Sequence, residues 1–97
     1  MQVRLSSEKG PLAIGELANI SAGGVQVDLR EALRPGTRLR VAFPIPGEGS
    51  AFSLEGRIQW TRPAGRTAAG DAVHSHGIAF VSFSPEVRQQ LAQMLRA

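Results

Sequence analysis

Apolar and polar positions alternate along most of this chain, and the period changes once, near its end. Val3-Arg4-Leu5 runs apolar–basic–apolar, as at the end of a strand, and Ser6 to Pro11 supplies turn chemistry centred on Lys9-Gly10. Leu12 to Ala18 reads as a second extended segment. Gly24–Leu29 is a cleaner strand, with Val25, Val27 and Leu29 alternating with Gln26 and Asp28. Arg30 to Thr37 is a connection with Pro35-Gly36 as its turn. Leu39, Val41 and Phe43 then alternate with Arg38, Arg40 and Ala42. Pro44 to Ser50 carries two prolines and two glycines and predicts a hairpin loop. From Phe52 the period of two holds for ten residues, with Phe52, Leu54, Gly56, Ile58 and Trp60 on one face and Ser53, Glu55, Arg57, Gln59 and Thr61 on the other. Pro63 to Ser75, polar and rich in Ala and Gly, predicts a long mobile loop. Gly77 to Val81 is nearly all apolar, as for a strand covered on both sides.

The period then lengthens. Ser84, Pro85 and Glu86 have the chemistry of an N-cap, a first-turn proline and a first-turn acid. Val87, Leu91, Met94 and Leu95 follow at helical spacing and form one apolar face. The pattern therefore predicts five or six short antiparallel strands and one amphipathic helix. Closing the strands into a barrel removes their edges, and the helix is expected to cover an open end.

Length and composition narrow the function. Ninety-seven residues make one domain, expected to span 1–97, that buries about 60–65% of its unfolded surface. With no cysteine, neither a disulfide framework nor a thiolate metal site is possible. No apolar run approaches the roughly 20 residues that span a bilayer, so a cytoplasmic protein without membrane insertion is expected. The net charge of +3 is carried almost wholly by arginine, Lys9 being the only lysine, and the arginines are spread along the chain. Arginine binds phosphates and the guanine edge in bidentate fashion, but so small a charge does not support bulk nucleic-acid binding. One Trp, no Tyr and four Phe at mostly inward positions also make a poor stacking platform for DNA or RNA.

Catalytic chemistry is not visible either. The hydroxyls lie in no nucleophile motif and no acidic pair suggests a cleft, so no catalytic residue is assigned. His74 and His76 flank Ser75 where the last strand begins. A metal site there would need a third ligand, for which only Asp71 offers itself, and the expectation is two exposed histidines and no metal.

The most distinctive stretch is Asn19-Ile20-Ser21-Ala22-Gly23-Gly24, a polar turn feeding directly into a strand. Glycine reaches positive φ and lets a ligand approach the backbone, and successive N–H groups in such a turn can form an anion-binding nest. Asn, Ser and Gly are equally the ordinary residues of a β-turn.

Taken with its neighbours, this turn resembles the PilZ domain family. Asn19-x-Ser21-x-x-Gly24 has the form of that family's Asp/Asn-x-Ser-x-x-Gly signature. Gly56-Arg57-Ile58-Gln59-Trp60-Thr61-Arg62 resembles its penultimate strand, Gly77-Ile78-Ala79-Phe80 its final strand, and the closing helix stands where the family has one. The resemblance implies a six-stranded antiparallel β-barrel with a C-terminal helix, acting as a receptor for the bacterial messenger cyclic di-GMP in the control of motility, type IV pili or exopolysaccharide. Cyclic di-GMP is then the implied ligand, with no other cofactor. Asn19 and Ser21 would hydrogen-bond guanine or phosphate, Gly23 and Gly24 would keep the turn open, Trp60 would offer a stacking face, and Arg62 a phosphate contact. Trp60 also continues the inward face of its strand, where it reads as core, and Arg62 reads as an ordinary solvated arginine as well.

The family's other signature, an Arg-x-x-x-Arg pair just ahead of the first strand, does not stand there. Arg4 falls within that strand and has Glu8 four residues on; it completes the candidate ligand set. Two expectations stay open. The pair belongs to a segment ahead of these residues, or this member is an adaptor that lacks the clamp and works through a protein partner or neighbouring domain.

Overall fold

The alternating segments pair as their pattern predicts, and the sheet closes on itself. The computed structural model describes all residues but 22, 45–48, 50, 83 and 97, and of residues 51, 52, 82, 87, 91 and 94–96 only the backbone. Six strands, β1 (Gln2–Ser7), β2 (Gly10–Ile20), β3 (Gly24–Leu29), β4 (Arg38–Pro44), β5 (Ala51–Arg66) and β6 (Ala72–Ser82), are followed by helix α1 (Pro85–Arg96). They form a closed antiparallel barrel in the order β1-β2-β3-β6-β5-β4, sealed by the pairing of Leu5 with Val41. Closure gives every strand a partner on both sides over part of its length.

The inward positions of the alternation make the core. Val3, Leu5, Val25, Val27, Leu29, Leu39, Val41, Phe43, Leu54, Ile58 and Ile78 are buried, and Ala13, Leu17, Ile20, Leu33 and Phe80 pack against them. Each such large side chain taken from water contributes about 1.5–3 kcal/mol, so the six inward faces hold the barrel together jointly.

The segment from Pro63 to Ser75 is not a long loop. β5 continues to Arg66 and β6 begins at Ala72, leaving only residues 67–71 between them. Pro63 is accommodated because the register shifts between Pro63 and Arg66, where β5 carries an extra residue. A missing N–H is tolerated at such a bulge. The short turn is also tied down: Gly70 N–H donates to Thr67 O (2.9 Å), Asp71 N–H to Thr67 Oγ1 (3.1 Å), and Arg66 Nη1 to Gly70 O (2.8 Å).

The histidine expectation is corrected with it. His76 points inward and is fully buried, and His74 is half-buried. His76 Nε2 accepts the Leu33 N–H at 2.9 Å, while Thr61 Oγ1 donates to Leu33 O at 2.6 Å. Both backbone groups of Leu33 are thereby satisfied, which pins the connection between β3 and β4 onto β5 and β6. Within that connection Gly36, at φ +89°, makes the tight turn after Pro35, and its N–H donates to Ile58 O at 2.7 Å. Burial lowers the pKa of His76 below 6.5, against the raising effect of the Val27 and His74 backbone carbonyls. His76 is held neutral, and its accepting nitrogen has no free lone pair for a metal.

α1 starts as its capping chemistry requires. Arg88 N–H donates to the carbonyl of Ser84 at 3.0 Å, and the Glu86 carboxyl is held below its usual range by its own backbone N–H and the Ser84 hydroxyl. The helix comes against β5. The apolar face expected from Val87, Leu91, Met94 and Leu95 lies outside the described side chains. No helix is long and apolar enough to cross a membrane among the described residues.

Candidate functional site

Two interruptions of the strand period build the site. In β2, Leu17 pairs with Val27 but Asn19 pairs with Gln26, so Ala18 is an extra residue. In β5, Ile58 pairs with Ile78 but Trp60 pairs with Gly77, so Gln59 is extra. Bulges of this kind re-aim the side chains beyond them. Because Gln26 also pairs with Gly77, the two bulges align a row across four strands: Asn19, Gln26, Gly77, Trp60.

Gly77 lies between His76 and Ile78, which point into the core, so its missing side chain would point outward. The Trp60 ring occupies that place: a Cβ on Gly77 would collide with Cε2, Nε1 and Cζ2 of the indole. Trp60 is therefore not a core residue continuing the inward face of β5. The bulge at Gln59 has moved it to the outer wall, where it is half-buried.

Around this row lies an open concavity of about 270 Å³, lined by Asn19, Ile20, Ser21, Gly23, Gly24, Val25, Gln26, Gln59, Trp60, Gly77, Ile78 and Ala79. Five candidates from the sequence, Asn19, Ser21, Gly23, Gly24 and Trp60, meet here. Arg62 stands at its margin, its Cζ 3.9 Å from the centroid of the Trp60 ring, a cation–π stack that covers one indole face. Arg4 is placed elsewhere: it is exposed on β1 between Ile14 and Ala42 and does not line the concavity.

The turn differs from an anion nest. Neither Gly23 nor Gly24 has positive φ, so this pair does not make the alternation of backbone hands of an αR–αL nest. Two of its donors are also engaged: Ser21 N–H donates to Gly24 O at 2.9 Å and Gly23 N–H to Ser21 Oγ at 3.3 Å. Ser21 thus shapes the turn with its own hydroxyl. Gly24 is required for packing: a Cβ there would run into Ile78 O and come within 3.2 Å of Ala79 Cα. At Gly23 a Cβ would meet nothing within 4 Å. The Asn19 amide makes no hydrogen bond among the described residues and faces the open space.

Gln26, Gln59 and Gly77 line the concavity without having been singled out in the sequence. Gly77 carried a usable signal, because a glycine inside an apolar strand marks close approach of another group. Gln26 looked like any solvent-facing strand position. Arg57, exposed on β5, stands in the next row with Ala79 and Gly24. No three His, Cys, Asp or Glu side chains gather as a metal site among the described residues.

The PilZ domain profile matches residues 1–97. This chain belongs to the PilZ domain family. Two solved structures share its fold. The PilZ domain of YcgR from Escherichia coli with c-di-GMP superposes with a TM-score of 0.75 at 17% identity, covering 96% of this chain and 76% of that one. The K. pneumonia MrkH–c-di-GMP complex gives 0.69 at 11% identity, covering 98% of this chain and 44% of that one. No curated protein matches the chain significantly.

Proposed function

We propose that this PilZ domain is a cyclic di-GMP receptor module, not an enzyme, and that the outer-wall concavity is its ligand site. The supporting observation is the aligned row of Asn19, Gln26, Gly77 and Trp60 beside the Asn-x-Ser-x-x-Gly turn, on a fold shared with two proteins whose structures hold c-di-GMP. In this reading the free amide of Asn19 hydrogen-bonds a guanine, Ser21 holds the turn in shape, Gly23 leaves the approach open, Gly24 lets β3 lie close against β6, and Trp60 with the Arg62 guanidinium offers a flat cationic surface to a base or phosphate. A base stacked on such a surface contributes about 1–3 kcal/mol. Arg4, being remote, has no part. Binding then orders a neighbouring segment or docks a protein partner, which is the signal; the process under control, whether pili, motility or exopolysaccharide, belongs to that partner.

An adaptor that does not bind the nucleotide is the second reading. It is favoured by the turn's own hydrogen bonds, which occupy the N–H groups of Ser21 and Gly23. Calorimetric titration with cyclic di-GMP separates the two. The receptor reading expects saturable binding that the Asn19→Ala/Ser21→Ala double variant loses while keeping the barrel's circular dichroism. Retained affinity in that folded variant removes these residues from the site, and no binding by the unaltered chain leaves the adaptor.

A further inference from the structure

The one polar side chain in the middle of the row, Gln26, has its orientation imposed from behind. Ser75, only 5% exposed, donates its single hydroxyl proton to Asp28 Oδ1 at 2.5 Å. A carboxylate only accepts, so the hydroxyl oxygen is left to accept in turn, and it receives Gln26 Nε2 at 3.0 Å. The opposite orientation of the amide would set the Gln26 oxygen against the Ser75 oxygen with no proton between them. Gln26 must therefore turn its NH₂ toward Ser75 and its Oε1 away from it. No described residue donates to that oxygen, and Gln26 lines the concavity. The wall thus presents a fixed acceptor beside the Trp60 ring.

We propose that Gln26 is the base-reading residue of the concavity, accepting the N1–H and N2–H₂ donors of a guanine through Oε1, and that Ser75 and Asp28 are positioning residues that fix this polarity. Guanine offers two adjacent donors to such an acceptor, whereas adenine offers only its N6–H₂ there and sets its unprotonated N1 against the acceptor. The relay thereby selects guanine over adenine. This inference rests on the receptor reading above.

The test is an NMR-monitored titration of the full chain with cyclic di-GMP and cyclic di-AMP, repeated on Gln26→Leu and Asp28→Asn. Gln26→Leu removes the acceptor and should weaken cyclic di-GMP binding by about tenfold to a hundredfold, the range of a good base-edge contact, with little change for cyclic di-AMP. Asp28→Asn is nearly isosteric and lies outside the concavity, but the new amide can donate to Ser75. The serine proton is then free to point at Gln26, and the Gln26 amide can turn over. The ratio of guanine to adenine affinity should collapse in this variant, whereas a merely structural defect would lower both affinities alike. Wild-type affinity and an unchanged ratio in folded Gln26→Leu would overturn the inference and leave the receptor reading standing. No binding of cyclic di-GMP by the unaltered chain would overturn both.

Discussion

At position 77 any side chain larger than hydrogen would stand where the Trp60 indole lies. Gly77→Ala therefore expels the ring from the wall without touching the inward face of β6. Overpacking of this sort destabilises by about 1–3 kcal/mol, and Trp60 is the only tryptophan, so its fluorescence reports the displacement directly. The expected result is a red-shifted emission, a folded barrel and loss of ligand affinity; unchanged emission would mean that the ring does not lie over Gly77. His76 carries the second prediction at this scale. Its pKa is lowered in the folded state, chiefly by burial, so below the ordinary value of 6.5 the unfolded chain binds a proton that the folded chain resists. Its contribution is complete above pH 6.5 and is lost as pH falls from there toward the lowered value. Denaturant unfolding across that window should show stability falling with pH, and His76→Leu should flatten the slope although it also orphans the Leu33 N–H. An equal slope in the variant would assign the effect elsewhere.

At the scale of the element, strands and turns meet through backbone that comes unusually close. Gly24 and Gly23 are neighbours in one turn, yet they answer to different constraints. A Cβ at 24 meets the backbone of Ile78 and Ala79 on β6, which cannot move aside as a flexible side chain can, whereas a Cβ at 23 meets open space. Gly24→Ala should force β3 from β6 and lower stability by about 1–3 kcal/mol or more, and Gly23→Ala should change it by less than about 0.5 kcal/mol. Thermal melts of the two variants decide this; equal effects would show that the turn tolerates or resists both alike. The same scale explains what the sequence concealed. Three of the strands were plainest because Val25-Val27-Leu29, Leu39-Val41-Phe43 and Leu54-Ile58 keep the alternation of a half-buried sheet, whereas the pattern alone left the count at five or six. A bulge adds one residue and leaves no mark in that pattern. Ala18 and Gln59 look like any outward residue, so the alignment of Asn19 with Trp60 was hidden, and Trp60 read as core. The extra residue near Pro63 hid the last residues of β5 in the same way, and His76 read as exposed because Leu33, whose N–H its Nε2 accepts, comes from a distant connection.

For the whole molecule, the closed barrel gives the site a rigid outer wall drawn from β2, β3, β5 and β6. A shallow concavity on such a wall encloses little of a ligand by itself. It suits a receptor whose ligand is finally held between the wall and a second surface, so that the bound state differs from the free one in what is docked there. The family, the polar turn and Trp60 could be read from the sequence, but the row that joins them across Gln26 and Gly77 could not, because it depends on pairings between residues about fifty positions apart, such as Gln26 with Gly77. The most direct test of the account is to titrate cyclic di-GMP into the isotopically labelled chain and map the resonances that move. Saturable shifts confined to Asn19–Gln26, Gln59, the Trp60 indole N–H and Gly77–Ala79, with Arg4 and its neighbours on β1 still, are the predicted result. Saturable shifts centred on another face, or none at any concentration, would contradict it.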